Sequence, residues 1–313
     1  MEDYNKIIES LNIKFIRSTS LNAIKSVRIE NYYDVQNTIF FIEKGMMNFG
    51  NENERAKEGD ILFIPGGKST SIVFGDNADV SITNEQFINQ KEDYLRSRHH
   101  LELSQTPVVK FTSVTFDVKA FDSVNFFTSL DIPPFLVQEQ LDLGHIVRKI
   151  YQETHNDLPG KSRVINLYTE ELVIGLFRFV LDQKMFVEQL ATNSNYFKDP
   201  RLIDIFNYIK NNLDGDLSNK ALASVANVSE DYVGQYFKML TGINPQDYIE
   251  YQRMEKAVDL LRTSKKSIRA IGAEVGYKDT AYFCRRFKMM FGIPAGKMRK
   301  RESLIDVSSE SEA

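Results

Sequence analysis

Apolar residues recur along this chain with two different periods. Between about residues 20 and 130 they fall in short runs of β-branched and aromatic side chains, such as Thr38–Ile42, Asp60–Pro65, Thr70–Phe74 and Val108–Val118, separated by Gly, Asn and Asp. Runs of this kind predict strands, and a succession of them predicts a β-sandwich or barrel. From about Leu136 the period lengthens toward 3.6: Glu139–Glu153 and Arg163–Leu181 read as amphipathic helices joined by turn residues at Asn156–Lys161. The second is apolar over a face wide enough to cover the β-domain and to meet another subunit. Asn193–Pro200 reads as a linker, and Asp199–Lys210 opens a new helical region. Residues 302–313 are acidic and Ser-rich, which predicts a flexible tail.

Within the helical region a pattern occurs twice. Leu222–Met239 is echoed by Ile271–Met289; Leu222/Ile271 and Asn227/Gly276 are 49 residues apart, whereas Tyr232/Tyr282, Phe237/Phe287, Lys238/Lys288, Met239/Met289, Gly242/Gly292 and Ile243/Ile293 are 50 apart. The second copy therefore holds one more residue in its turn. Asn227 and Gly276 stand where a helix ends and the backbone needs positive φ, a geometry that Asn and Gly tolerate best. Ser229 and Asp279 follow as N-caps of the next helix. Each copy is thus a helix-turn-helix. Between them Asn244 and Pro245 predict the N-cap and first residue of a long helix, with Tyr248, Tyr251, Met254, Val258 and Leu261 as its buried stripe. Running to about Thr263, it spans roughly 28 Å. That approaches the roughly 34 Å repeat of duplex DNA, so two second helices could enter successive major-groove turns on one face.

Charge sharpens this division. The 313 residues carry a net charge of −4, yet residues 201–300 hold 17 Lys and Arg against 11 Asp and Glu, a net of +6, leaving 22 against 32 elsewhere. A basic module on an acidic chain fits a polyanion that binds the module alone. The 42% hydrophobic content excludes a disordered or collagenous chain. No apolar run reaches the ~18 residues of a membrane span, and the start MetGluAspTyrAsnLys lacks a basic segment followed by an apolar one. The expected compartment is the cytoplasm, with no membrane partner. A lone cysteine, Cys284, permits no intrachain disulfide and has no resolving partner for a redox switch. His99, His100, His145 and His155 lack ligand-like spacing and read as structural or surface residues. Neither a nucleophile–base arrangement nor a Gly-rich phosphate loop stands out, so no enzyme and no cofactor is expected.

The residues Ile271, Val275, Gly276, Tyr277, Asp279, Tyr282, Phe283, Arg285, Phe287, Lys288 and Gly292, with Gly242, Pro245, Tyr248, Arg253, Ala257 and Leu261, carry a family resemblance. Residues 201–301 resemble the DNA-binding domain of the AraC/XylS family of bacterial transcription regulators. Gly272 departs from the family's usual Ala, Tyr277 from its Phe, and Ala295 and Met298 from its Pro and Tyr, with Pro294 one residue early. More weakly, Glu58–Pro65 resembles the Gly-Asp strand motif of cupin-like effector domains. With no His between Met1 and Arg98, a metal-dependent cupin enzyme is not expected.

On the second recognition helix, expected over Asp279–Met290, Tyr282, Phe283 and Phe287 form the inward stripe and Thr280, Ala281, Cys284, Arg285 and Lys288 lie on the exposed side. Arg285 occupies a position that in the family often reads base edges. Lys278, Arg286 and Lys288 are expected at phosphates, as are Lys238 and Arg253. The first recognition helix, expected over Ser229–Leu240, presents Gln235 as its best base reader. Asp231 accepts from a cytosine amino group or, with Glu230, favours the helix dipole. Base readout should therefore weigh toward the second copy.

The reading is an α+β chain of two domains: a cupin-like β-barrel or sandwich with helices over residues 1–195, which senses a signal and dimerises, and an all-α DNA-binding domain over 200–301. Resemblance implies a transcription activator more than a repressor, with double-stranded promoter DNA and RNA polymerase as partners, a small-molecule effector and a homodimeric state. The alternative is a non-catalytic small-molecule-binding cupin protein with non-specific DNA affinity.

Overall fold

The computed structural model describes residues 4–9, 11–97, 106–120, 124–129, 132–186, 199–241, 243–291 and 293–299. His99, His100, Gly242, Gly292, the linker residues before Asp199 and the tail at 302–313 lie outside the described residues. Strands are β1 (Leu11–Ala23), β2 (Val27–Tyr33), β3 (Asn37–Lys44), β4 (Met46–Phe49), β5 (Glu54–Lys57), β6 (Ile61–Ile64), β7 (Ser69–Phe74), β8 (Ser81–Ile82), β9 (Leu95–Ser97), β10 (Val109–Ala120), β11 (Val124–Asn125) and β12 (Phe135–Val137). Helices are α1 (Tyr4–Glu9), α2 (Asn84–Tyr94), α3 (Phe126–Ser129), α4 (Leu141–Thr154), α5 (Lys161–Asp182), α6 (Pro200–Asn211), α7 (Asn219–Ala226), α8 (Glu230–Thr241), α9 (Pro245–Thr263), α10 (Ile268–Glu274), α11 (Thr280–Phe291) and α12 (Ala295–Met298). They form two compact units, one drawn from residues 13–117 and 133–183, the other from 1–12, 118–132 and 184–301.

In the first unit two sheets, ordered β12-β6-β3-β10-β1-β9 and β5-β4-β7-β2-β8, face each other. Aromatic rings join them: Tyr32 of β2 meets Phe40 of β3 at 6.2 Å, and Phe74 of β7 stacks on Phe111 of β10 at 5.4 Å. A two-sheet sandwich is therefore the form the strand-rich half takes. Residues Asn37 to Ile42 of β3 are buried on both faces, which is why that run is almost continuously apolar rather than alternating. One face meets the opposite sheet, and the other takes α4: Gly144 lies so close to Phe41 that a Cβ there would come within 2.7 Å of its ring. Arg148 stands over the same ring at 4.8 Å. Gly175 of α5 likewise admits Leu143 of α4, whose methyl would sit 2.3 Å from a Cβ.

The Gly59-Asp60 motif is structural here. Gly59 has φ +90 and Asp60 Oδ2 accepts the Lys57 amide at 2.8 Å, closing the turn that launches β6. Helix α2 interrupts a stretch expected to be mostly strand. Its capping box, in which Thr83 and Gln86 exchange bonds to each other's backbone amides, was legible as a local signal. The long β1 also begins earlier than the strand-rich stretch predicted. Helices α4 and α5 match their periodicity, and His155, as expected, is a surface residue, its Nδ1 2.9 Å from the Tyr151 carbonyl oxygen. His145 is exposed. Among the described residues no helix is long and apolar enough to cross a membrane.

The second unit is helical apart from the short segment around β11. Its core is aromatic: Phe206 of α6 packs on Phe237 of α8 at 5.5 Å and on Tyr248 of α9 at 5.0 Å. The central helix α9 runs from Pro245 for 19 residues. Tyr248, Met254, Val258 and Leu261 are buried as its stripe predicts, while Tyr251 is half-buried. Asn244 is the N-cap residue, but its side chain donates to Asp247 at 3.2 Å instead of accepting from the helix.

Candidate nucleic-acid interface

The two copies of the repeat build one scaffold twice. Ser218 Oγ accepts the Ala221 amide ahead of α7, and Ser267 Oγ accepts the Ala270 amide ahead of α10, at 3.4 and 3.1 Å. Asn227 ends α7 with φ 53, and Gly276 follows α10 with φ +88, so both turn residues adopt the expected left-handed backbone. Asn suffices at the first turn, but the second admits no side chain: a Cβ on Gly276 would lie 2.3 Å from the Leu213 carbonyl oxygen and 2.8 Å from the Arg253 guanidinium. The extra residue of the second copy falls between this turn and the next helix, where buried Tyr277 sits. Asp279 then caps α11, its Oδ1 accepting from Ala281 and Tyr282 at 2.7 and 3.0 Å. Those amides hold its carboxyl below the usual carboxylate range, with the Arg285 charge contributing less. Ser229 instead serves α8 through its carbonyl, which accepts from Tyr232 and Val233.

Each second helix has one buried and one open face. Val233, Tyr236 and Phe237 anchor α8; Phe283, Phe287 and Phe291 anchor α11. Gly272 of α10 makes room for this anchor, since a Cβ there would stand 3.2 Å from the Phe283 ring. Ala295 and Met298 are buried. The open face of α8 carries Asp231, Tyr232, Gln235, Lys238 and Met239; that of α11 carries Ala281, Tyr282, Arg285, Lys288 and Met289. These are the same five positions in each copy.

Tyr282 corrects the expected inward stripe. It is 47% exposed, with its ring leaning on Tyr277 at 6.0 Å. Successive helical residues are about 100° apart, so Tyr282 and Phe283 cannot both point inward, and Phe283 fills the core. Thr280 and Cys284 are half-buried at the edge of the open face. Sequence reasoning missed Tyr232, Met239, Tyr282 and Met289 as surface residues. The seven-residue Tyr-to-Met spacing, shared by both copies, was the signal available.

The basic residues divide into two groups. Lys238, Lys278, Arg285 and Lys288 are exposed. Arg286, expected at a phosphate, holds both carboxylate oxygens of Glu250 on α9 through Nε and Nη2. Arg253, with the same expected role, donates from Nε to the Leu213 carbonyl at 2.9 Å and lies 5.9 Å from the Tyr277 ring centroid. Both guanidinium groups are thus engaged inside the unit. The open face of α11 keeps Arg285 and Lys288 beside the uncharged Ala281, whereas the open face of α8 sets Lys238 against Asp231.

Two helix-turn-helix motifs braced by one long helix define a DNA-binding transcription regulator. The family model described as a helix-turn-helix domain matches residues 222–301. An HTH-type transcriptional regulator of Haemophilus influenzae is 25% identical over 256 residues, covering 79% of this chain and 80% of its own. The transposon Tn10 TetD protein of Escherichia coli is 30% identical over 114 residues, covering 36% of this chain and 83% of its own. Among solved structures, ToxT of Vibrio cholerae matches 93% of this chain and 98% of its own with a TM-score of 0.53 and 11% identity, a likeness of fold. The chain belongs to the AraC/XylS family of transcription regulators and binds double-stranded DNA.

Proposed function

We propose that this regulator acts as an activator at promoters and reads its operator chiefly with α11. The observation that carries this reading is the contrast between two equivalent exposed positions, Arg285 on α11 and Gln235 on α8. Arginine makes a bidentate contact with guanine; glutamine does so with adenine. On this reading Thr280, Ala281 and Cys284 line the contact with bases, Asp231 tunes the first copy, and Lys238, Lys278 and Lys288 hold phosphates. Arg253 and Arg286 act by bracing α9 against its neighbours rather than by touching phosphate.

The sandwich is a sensing module for a small molecule or a protein partner, with no catalysis of its own. A partly buried polar cluster supports this role: the half-buried Arg17 places Nη2 3.5 Å from Oδ2 of buried Asp34, and both charges act on the fully buried Tyr32. Helices α4 and α5 supply a homodimer contact, which raises affinity for paired sites through effective concentration. RNA polymerase is the partner that an activator requires, and the cytoplasm is the compartment. Selection of bound duplexes from a random pool tests the reading. A specific regulator enriches one motif and prefers it to random DNA by about 10³-fold or more; recovery of unrelated sequences at equal affinity would overturn it.

A further inference from the structure

Of the nine large hydrophobic side chains exposed among the described residues, four lie at matching places on the two second helices: Tyr232 at 43%, Met239 at 61%, Tyr282 at 47% and Met289 at 73%. Two open-face positions differ between the copies, Asp231 against Ala281 and Gln235 against Arg285, while the Tyr, the Lys and the Met stand in both. Core packing does not account for them, because the buried sides of α8 and α11 are already filled by other residues. Each exposed tyrosine is also propped by a buried one: Tyr232 leans on Tyr236 at 5.8 Å, and Tyr282 on Tyr277 at 6.0 Å. These rings are therefore held in place on the surface, three residues ahead of Gln235 and Arg285 and on the same face.

Among the base edges of the major groove, the apolar group is the C5-methyl of thymine. In a helix-turn-helix the N-terminal part of the second helix approaches those edges, and Tyr232 and Tyr282 are the third residues of their helices. We propose that Tyr232 and Tyr282 read thymine methyl groups, so that each half-site pairs an apolar contact with a polar one from Gln235 or Arg285. This rests on the DNA-reading role proposed above for the open faces. Arg285 lies three residues beyond Tyr282, a rise of about 4.5 Å. The thymine therefore lies within about two base steps of the guanine that Arg285 contacts. Met239 and Met289, two turns further along the same face, flank the contact on its C-terminal side.

The test uses the full chain and the duplex recovered by selection, with deoxyuridine replacing each thymidine in turn to delete one methyl group. One replacement near the Arg285 contact should weaken wild-type binding about fourfold. Tyr282→Ala should bind the thymidine duplex correspondingly more weakly and be indifferent to that replacement. Tyr282→Phe should behave as wild type, because the ring and not the hydroxyl makes the contact. Uniform insensitivity of the wild type to deoxyuridine overturns the proposal while leaving sequence-specific binding intact. So does a Tyr282→Phe loss that is equal on both duplexes, which marks a hydroxyl-to-phosphate contact. A pool that enriches no motif overturns this proposal together with the reading on which it rests.

Discussion

Arg286 of α11 grips Glu250 of α9 with two guanidinium nitrogens, tying the second recognition helix to the helix that joins the two motifs. The pair is partly shielded, at 33% and 22% side-chain exposure, so solvent screens it incompletely. Arg286→Ala and Glu250→Ala should each lower stability by about 1 kcal/mol, and the double variant should lose little more than either single one. Urea unfolding of the three variants measures this coupling. Additive losses would show that the two side chains act independently.

Gly276 should be far less replaceable than Asn227. Gly276→Ala meets both the left-handed backbone and the close Leu213 carbonyl and Arg253 guanidinium, at a cost of about 2 kcal/mol or more. Asn227→Gly keeps the φ of 53 accessible and should change stability by no more than about 0.5 kcal/mol. Thermal unfolding of the two variants should separate by several degrees. A similar loss in both would contradict the contact geometry.

Packing of α5 on α4 sets a matching constraint in the other unit. Gly175→Ala pushes a methyl into Leu143, and overpacking of this kind costs about 1–3 kcal/mol. Pairing it with Leu143→Ala should restore part of that loss, since the smaller side chain vacates the space. Denaturation midpoints that show no such recovery would exclude this contact as the cause.

Acid should weaken the α6 cap. The Arg201 guanidinium, through its hydrogen bond to Asp199, holds that carboxyl at about 2 against an ordinary 3.8. A depressed carboxylate stabilises the folded state above its unfolded pKa, and that contribution fades as pH falls through the folded one. The stability advantage of the wild type over Asp199→Asn should therefore shrink between about pH 4 and about pH 2. Melting temperatures at stepped pH test this, and a constant difference across that window would contradict it.

Much of the helical unit was legible because its signals are local. Asn227, Gly276, Asp279 and Pro245 each constrain their own backbone or the first free amides of a helix, so residue type and position suffice. The stripe of α9 was legible for the same reason, through spacing alone. Arg286 and Arg253 were not, because their partners lie 36 and 40 residues away in sequence, and chain order does not reveal which basic side chain meets a carboxylate or carbonyl. Tyr282 was misplaced because an aromatic residue beside Phe283 resembles core until the 100° step between them is applied. Helix α2 was hidden inside a strand-rich stretch, although Thr83 and Gln86 announced its start. In the sandwich, the run at Thr38–Ile42 identified a strand, but its burial on both faces depends on α4, about a hundred residues further along the chain.

On the proposed reading, one scaffold used twice reads DNA unequally. A competition gel-shift titration on the selected duplex with full-length wild type, Arg285→Ala and Gln235→Ala tests it most directly. Arg285→Ala should weaken binding about tenfold or more and relax preference at one guanine, while Gln235→Ala should lose clearly less. Equal losses, or a larger loss from Gln235→Ala, would contradict it.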